Sequence, residues 1–347
     1  MDDTRLIRVL TIEGGGVRGI IPTRLLTALE SLAGAPISDL FDVLVGTSTG
    51  GMLALGLVTP GEDGGHAYAA RNVGDIYTSY GKHIFPKPVS SLPRSLQEAR
   101  EWWSSASSSA AIFGYNPDAG NARYSPEGIE EAFKLYFGDR LLSEAMVDVV
   151  VTSYDLQTKS PVLFKSRDAK LDSDNDLLMR DAARATSAAP TYFPPLEMAW
   201  EGIENRLLVD GGVYAKNPAM IGYMEGVTRA RERGLRDSDV MVVSMGTGRP
   251  RRTEALTYKE FVSRSWLKLA EDVFRAAEDG QAALHDQVLT TLIGDHYWRF
   301  QTVLAETASY AMDDVSDDNV NALKHLGDQL VGERLDDLNA LAKRLLE

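Results

Sequence analysis

Apolar and β-branched residues gather into short runs that stop at glycine-rich turns. Leu6 to Ile12 is one such run, closed by Glu13-Gly14-Gly15-Gly16, and it reads as a buried strand. Leu25, Leu26, Leu29 and Leu32 then recur at helical spacing, which predicts a helix from about Gly19 that ends at Gly34 and Pro36. Phe41 to Val45 is a second strand, running into Gly46-Thr47-Ser48-Thr49-Gly50-Gly51. The apolar segment Met52 to Val58 fits a helix or a strand by periodicity alone; the glycines and the strand upstream favour a strand–turn–helix unit. Further strands are predicted at Val147–Ser153, Val162–Lys165, Leu207–Val209 and Val240–Met245, and helices at Pro126–Phe137, Asp176–Ala185 and Pro218–Arg233. This alternation predicts an α/β domain with a mostly parallel sheet covered on both faces.

Two stretches break the pattern. Residues 83–124 are loop-like, with Pro86, Pro88 and Pro93, a serine-rich run and Trp102-Trp103, and read as a lid-like insertion. From about residue 251 the pattern is helical without strands. The expected organisation is a catalytic domain over residues 6–250 and a helical C-terminal extension over 251–347 packed on it. The pairs Asp313-Asp314 and Asp317-Asp318 read as a solvated loop rather than a metal site.

Composition narrows the function classes. The 347 residues include no cysteine, which excludes disulfides, thiolate metal sites and a cysteine nucleophile. A formal net charge of −14 disfavours nucleic acid as a partner and slows approach to an anionic bilayer. Met1 to Arg5 does not open a signal peptide, and no run reaches the roughly 18 apolar residues of a spanning helix. A cytoplasmic protein whose membrane contact is transient and peripheral is expected.

Three glycine-rich turns could carry chemistry. Gly46-Thr47-Ser48-Thr49-Gly50 is a G-x-S-x-G between a strand and a helix, the context that lifts a serine nucleophile out of a strained turn and aims helix N–H groups at the reacting centre. Thr49 flanks it as a supporting candidate. Gly14 to Gly19 fits G-x-G-x-x-G, which admits a nucleotide-binding turn; that reading wants an acidic residue ending the next strand, whereas Asp39 precedes it. The alternative is an oxyanion hole, with Gly14, Gly15 and Gly16 exposing unshielded amides worth roughly 3 kcal/mol each in a water-poor site. Arg18 buttresses that loop or meets a lipid phosphate, the structural role being favoured. Asp210-Gly211-Gly212 closes a strand and offers a carboxylate, with Gly211 freeing the turn. None of the five histidines sits beside a strand-end turn, although His285 or His296 could complete a Ser–His–Asp triad. A Ser–Asp dyad is chemically harder, because a carboxylate is a weak base in water. It requires a partly dry site and suits esters better than amides.

Taken together these turns resemble the patatin-like phospholipase family. Leu10 to Pro22 resembles its oxyanion segment, Gly46 to Gly50 its nucleophile elbow, and Asp210-Gly211-Gly212 its catalytic aspartate turn. Thr186 to Pro195 and Ser244 to Gly248 are also similar, in the same order, and the plant-type branch is nearest in character. The resemblance implies a three-layer α/β/α sandwich, no metal, no cofactor, and hydrolysis of fatty acyl esters of phospholipids or galactolipids. Carried over, Ser48 is nucleophile, Asp210 base, Gly15 and Gly16 with Gly14 the oxyanion donors, and Arg18 the basic position. Glu13 departs from the family's aspartate there. A small-molecule esterase or thioesterase built on the same dyad is the alternative. Trp102 and Trp103, near Arg94 and Arg100, are candidates either for dipping into a lipid interface or for anchoring the lid in the core.

Overall fold

The computed structural model describes residues 6–86, 122–251, 258 and 266–347. Trp102, Trp103, Arg94, Arg100 and most of the lid-like stretch lie outside the described residues. The strands are β1 (Ile7–Ile12), β2 (Val43–Thr47), β3 (Asp148–Asp155), β4 (Ser160–Lys165), β5 (Leu196–Trp200), β6 (Ile203–Asp210), β7 (Val240–Met245) and β8 (Tyr297–Phe300). The longer helices are α1 (Ile20–Ala33), α2 (Thr49–Val58), α3 (Ala70–Ser79), α4 (Glu127–Phe137), α5 (Met179–Thr186), α6 (Ala219–Glu232), α7 (Trp266–Ile293), α8 (Asp317–Glu333) and α9 (Leu335–Leu346).

These strands form one sheet, ordered β5-β6-β3-β2-β1-β7-β8, with β4 also paired to β3. Pairing is parallel among β1, β2, β3, β7 and β8 and antiparallel at β4, β5 and β6. Side chains alternate across the sheet. Leu10 and Ile12 enter a core with Leu25 and Leu29 of α1, while Ile7 and Val9 enter a second with Ala219 and Ala230 of α6 and Leu289 of α7. Both faces are therefore covered, giving the expected three-layer α/β/α sandwich. Each fully buried leucine of α1 contributes roughly 2 kcal/mol; Leu32, expected on the same face, is exposed.

The region after residue 251 is helical, but not free of strands. Tyr297-Trp298-Arg299-Phe300 pairs in parallel with β7, which corrects the strandless reading. Four residues with an arginine among them are too short to signal a strand, and the neighbouring β7 supplies the ladder. The hairpin β5–β6 was also only half legible, because its turn residues Glu201 and Gly202 both take positive φ and its outer half is charged. Asp313 is not solvated: its carboxylate is largely buried, and it accepts hydrogen bonds from Arg123 and from Tyr124 at 2.7 Å.

One topological detail positions the site. A strand has two edges. β3 gives one edge to β4 over Val150–Asp155 and the other to β2 over Asp148–Thr152. β6, which pairs with Ser153–Asp155, therefore occupies the β2 edge beyond the point where β2 stops. Thr47 opposes Thr152 and Asp210 opposes Ser153, so β2 and β6 meet head-on at consecutive rungs.

Candidate active site

Ser48 stands where β2 ends and α2 begins, with φ 55 and ψ −126. Such a backbone is costly for a residue with a Cβ and persists only where its surroundings enforce it. They do so here. The Ser48 N–H donates to Thr186 Oγ at 2.8 Å, and its carbonyl accepts from Met52 N–H at 3.0 Å inside α2. Thr47, one residue before, shares a 2.8 Å hydrogen bond with Thr152 and donates to the Ala215 carbonyl at 2.7 Å. Thr186, at the end of α5, lies within a stretch singled out in the sequence, but its role as the clamp on the elbow was not legible there.

Asp210 is 5% exposed and ends β6 facing the elbow. The Ser48 hydroxyl is its hydrogen-bonding neighbour, and Gly212 N–H donates to Asp210 Oδ1 at 2.7 Å. Burial raises the carboxyl to about 7, against the opposing pull of those two hydrogen bonds, with the charge of Glu278 adding to the rise. Gly211 is required sterically, because a Cβ there would lie 2.1 Å from Thr152 Oγ.

The triple-glycine turn lies against the elbow: a Cβ at Gly14 would sit 3.2 Å from Ser48 Cβ. The expectation that Gly14 joins Gly15 and Gly16 as an amide donor is corrected, because Gly14 N–H is committed to the Lys216 carbonyl at 3.0 Å. Gly16 has φ +59 and packs so closely on Met312 that a Cβ would meet its carbonyl oxygen at 2.2 Å. That carbonyl accepts Val17 N–H, so a loop from the C-terminal region straps the turn. Arg18 is buried; its Nε donates to the Gly15 carbonyl at 3.1 Å, and its guanidinium stacks on Tyr310, 4.6 Å from the ring centre. Arg18 thus packs inside the glycine loop. Glu13 is buried and paired with Arg299 of β8, with Gln301 donating to it at 3.1 Å.

The histidines lie elsewhere. His285 contacts the Asn217 carbonyl at 2.9 Å, His296 the Ser238 carbonyl at 3.1 Å, and neither contact reaches Ser48. Asp39 pairs with His66 ahead of β2, away from the end of that strand. Asp39 thus does not end the strand as the nucleotide reading wants, and the hydrogen-bonding partners of His285 and His296 among the described residues are Asn217, Gln281, Ser238 and Arg344.

Beside Ser48 a narrow apolar cleft of about 50 Å³ lies between Met52, Tyr77, Phe85, Phe133, Phe193 and Met312. Its lining is apolar, as in ligand pockets, but its volume is far below theirs. Thr49 Oγ and Tyr77 Oη, both buried, lie on its wall within 2.5 Å and 2.4 Å of the Cβ position of Gly19, without a hydrogen-bond partner among the described residues. No helix among the described residues is long and apolar enough to cross a membrane.

Residues 10–223 match the family model for patatin-like phospholipase. The chain is 28% identical to patatin group A-3 of Solanum tuberosum, over 94% of this chain and 84% of that protein. It is 29% identical to patatin-like protein 2 of Arabidopsis thaliana, over 94% and 83%. Among solved structures, VipD from Legionella pneumophila aligns over 94% of this chain and 67% of its own, with 12% identity and a TM-score of 0.35.

Proposed function

The chain belongs to the patatin-like phospholipase family of lipid-degrading hydrolases, and from that premise we propose that it is a serine lipid acyl hydrolase of phospholipase A type, with Ser48 as nucleophile and Asp210 as base. One observation carries the reading. A serine hydroxyl on a strained strand-end turn lies against a buried carboxyl that titrates at about 7. An ordinary aspartate would be too weak a base for an alcohol; one raised to about 7 is matched to work near neutrality.

In this reading Ser48 Oγ attacks the acyl carbonyl carbon while its proton passes to Asp210. The carbonyl oxygen becomes an oxyanion facing the Gly15 and Gly16 amides, each worth roughly 3 kcal/mol. Collapse breaks the bond to the leaving alkoxide, which takes the proton from Asp210 and leaves an acyl ester on Ser48. Water then attacks that ester, giving its proton to Asp210, and the fatty acid departs as Ser48 recovers its hydrogen. The apolar side chains beside Ser48 would pack against the acyl chain near its carbonyl, and substrate would come from phospholipid or galactolipid surfaces through transient peripheral contact.

The test is hydrolysis of phosphatidylcholine, phosphatidylglycerol and galactolipid vesicles, and of p-nitrophenyl butyrate, by the wild type, Ser48→Ala and Asp210→Asn. Both variants are expected to remain folded and lose roughly 10³-fold or more in kcat. Normal turnover by Asp210→Asn would overturn the dyad. Turnover of the soluble ester with none of any lipid would replace the lipid reading by the small-ester one.

A further inference from the structure

A second carboxylate stands beside the first. Helix α7 packs on the short helix Gly212–Ala215 and on α6, and it is fastened to the turn that follows Asp210 by a row of polar contacts. Asp279 accepts a 2.9 Å ion pair from Lys216, Asp286 accepts from Asn217 Nδ2 at 3.1 Å, and His285 meets the Asn217 carbonyl at 2.9 Å. Glu278 precedes Asp279 on this fastened helix, so its placement is fixed by its neighbours rather than by a partner of its own. Its Oε1 lies 3.6 Å from the Cβ position of Gly212, and Asp210 Oδ1 lies 3.1 Å from the same point. The two carboxyl groups are therefore less than about 7 Å apart. They flank the one glycine whose N–H holds Asp210.

We propose that Glu278 is a positioning residue of the dyad: its negative charge, held beside the Gly212 turn by α7, makes Asp210 a stronger proton acceptor from Ser48. The proposal rests on the dyad reading above and deepens it. When the Ser48 proton reaches Asp210, negative charge leaves the neighbourhood of Glu278 and appears on the oxyanion at the glycine turn. A fixed anion next to the base favours that transfer, because like charges at this distance disfavour the ionised carboxylate. Glu278 has no ion pair within 4 Å among the described residues, so its charge is not cancelled at contact; Lys216 is taken by Asp279. The other groups facing it are Lys216 from the turn, Arg18 from the glycine loop, and Asp279 and Arg275 from its own helix. Burial raises Glu278 itself, with Lys216, Arg18 and Arg275 pulling the other way. Its direct effect on Asp210 is in the raising direction. A helix from the C-terminal part of the chain would thus tune the base, which gives α7 a role beyond covering the sheet.

The experiment is the pH profile of kcat/KM for p-nitrophenyl butyrate, measured on the full chain for the wild type, Glu278→Gln, Glu278→Asp and Asp210→Asn, with thermal melts alongside. Glu278→Gln keeps shape and removes charge. Its acidic limb is expected to move down by about 0.5–1 pH unit, the size set by a unit charge at this separation in partly buried surroundings. KM is expected to hold. Glu278→Asp keeps the charge and is expected to leave the limb within a few tenths of a unit of the wild type. An unmoved limb in a folded Glu278→Gln protein overturns the proposal, whatever happens to the plateau rate. So does a limb that moves equally in Glu278→Asp, which would make the effect one of shape. Full turnover by Asp210→Asn would instead overturn the dyad itself, so the two failures are distinguishable.

Discussion

Replacing Asp210 by asparagine is expected to stabilise the fold at high pH while abolishing turnover. An aspartate in the unfolded chain ionises near 3.9, whereas burial holds this one at about 7 in the folded state. The folded protein thus binds this proton more tightly than the unfolded chain does. The group's contribution to stability is full below about pH 4, falls as pH rises, and is lost once pH passes about 7. Each pH unit in that window removes about 1.4 kcal/mol, so by pH 8 the ionised carboxylate costs about 4 kcal/mol of folding free energy. Asparagine keeps an oxygen to accept the Gly212 N–H, now at 2.7 Å, and carries no charge to desolvate. With an unfolding entropy of about 2.1 cal/mol/K per residue, the variant should melt about 5 °C above the wild type at pH 8. Melts or urea titrations in half-unit steps from pH 5.5 to 8.5 test this. The gap between the two proteins should widen up to about pH 7 and then level. A pH-independent gap, or a wild type more stable than the variant at pH 8, would refute the claim that Asp210 is held in a dry site at the expense of stability.

Three further outcomes follow from the same geometry. The kcat/KM of the wild type should fall tenfold per pH unit below about 7, because Asp210 accepts a proton only when ionised; a flat profile from pH 5 to 8 would exclude it as the base. Thr186→Val removes the hydroxyl that accepts Ser48 N–H at 2.8 Å and strands an amide at the elbow. A loss of about 1–3 kcal/mol is expected, read as a ten- to hundredfold fall in kcat/KM with a small change in melting temperature, and an unchanged kcat/KM would show that the strained turn needs no clamp. Arg299→Met leaves Glu13 and Asp286 as buried or half-buried charges without their shared partner. It should cost about 3–5 kcal/mol in urea unfolding, and an unshifted midpoint would contradict the view that β8 closes the sheet electrostatically.

How far the sequence could carry these conclusions depends on the range of each interaction. Local devices were legible. The apolar run Val43–Val45 followed by glycine, serine and glycine is a strand–turn–helix unit on its own terms, and Ser48 stands at its turn with positive φ. Leu10 and Ile12 read as buried and are. Devices made by distant segments were not. Asp210 could be placed at a strand end, but not on an antiparallel strand that meets β2 head-on, because β3 has to hand one of its two edges first to β2 and then to β6. The glycine turn offered Gly15 and Gly16, with Gly14 beside them, as donors, and only the structure shows Lys216, from the turn beyond Asp210, taking the Gly14 amide. Glu13 stood out in the sequence only as a departure from the family's aspartate, yet it is the buried anion that a four-residue strand nearly 290 positions later pairs with. In each case the deciding partner is a backbone carbonyl, a strand edge or one charge, and none of these leaves a periodic trace in the sequence. The same holds for Glu278. On an amphipathic helix it reads as a solvated glutamate, and only the fastening of α7 to Lys216 and Asn217 turns it toward Gly212. In the proposed reading, the groups that would bind and break a bond are written locally around glycines, while burial raises the base and the C-terminal hundred residues add the charges of Glu278 and Arg299 around it. Variation in that region should therefore alter the pH at which the site works before it alters whether the site exists.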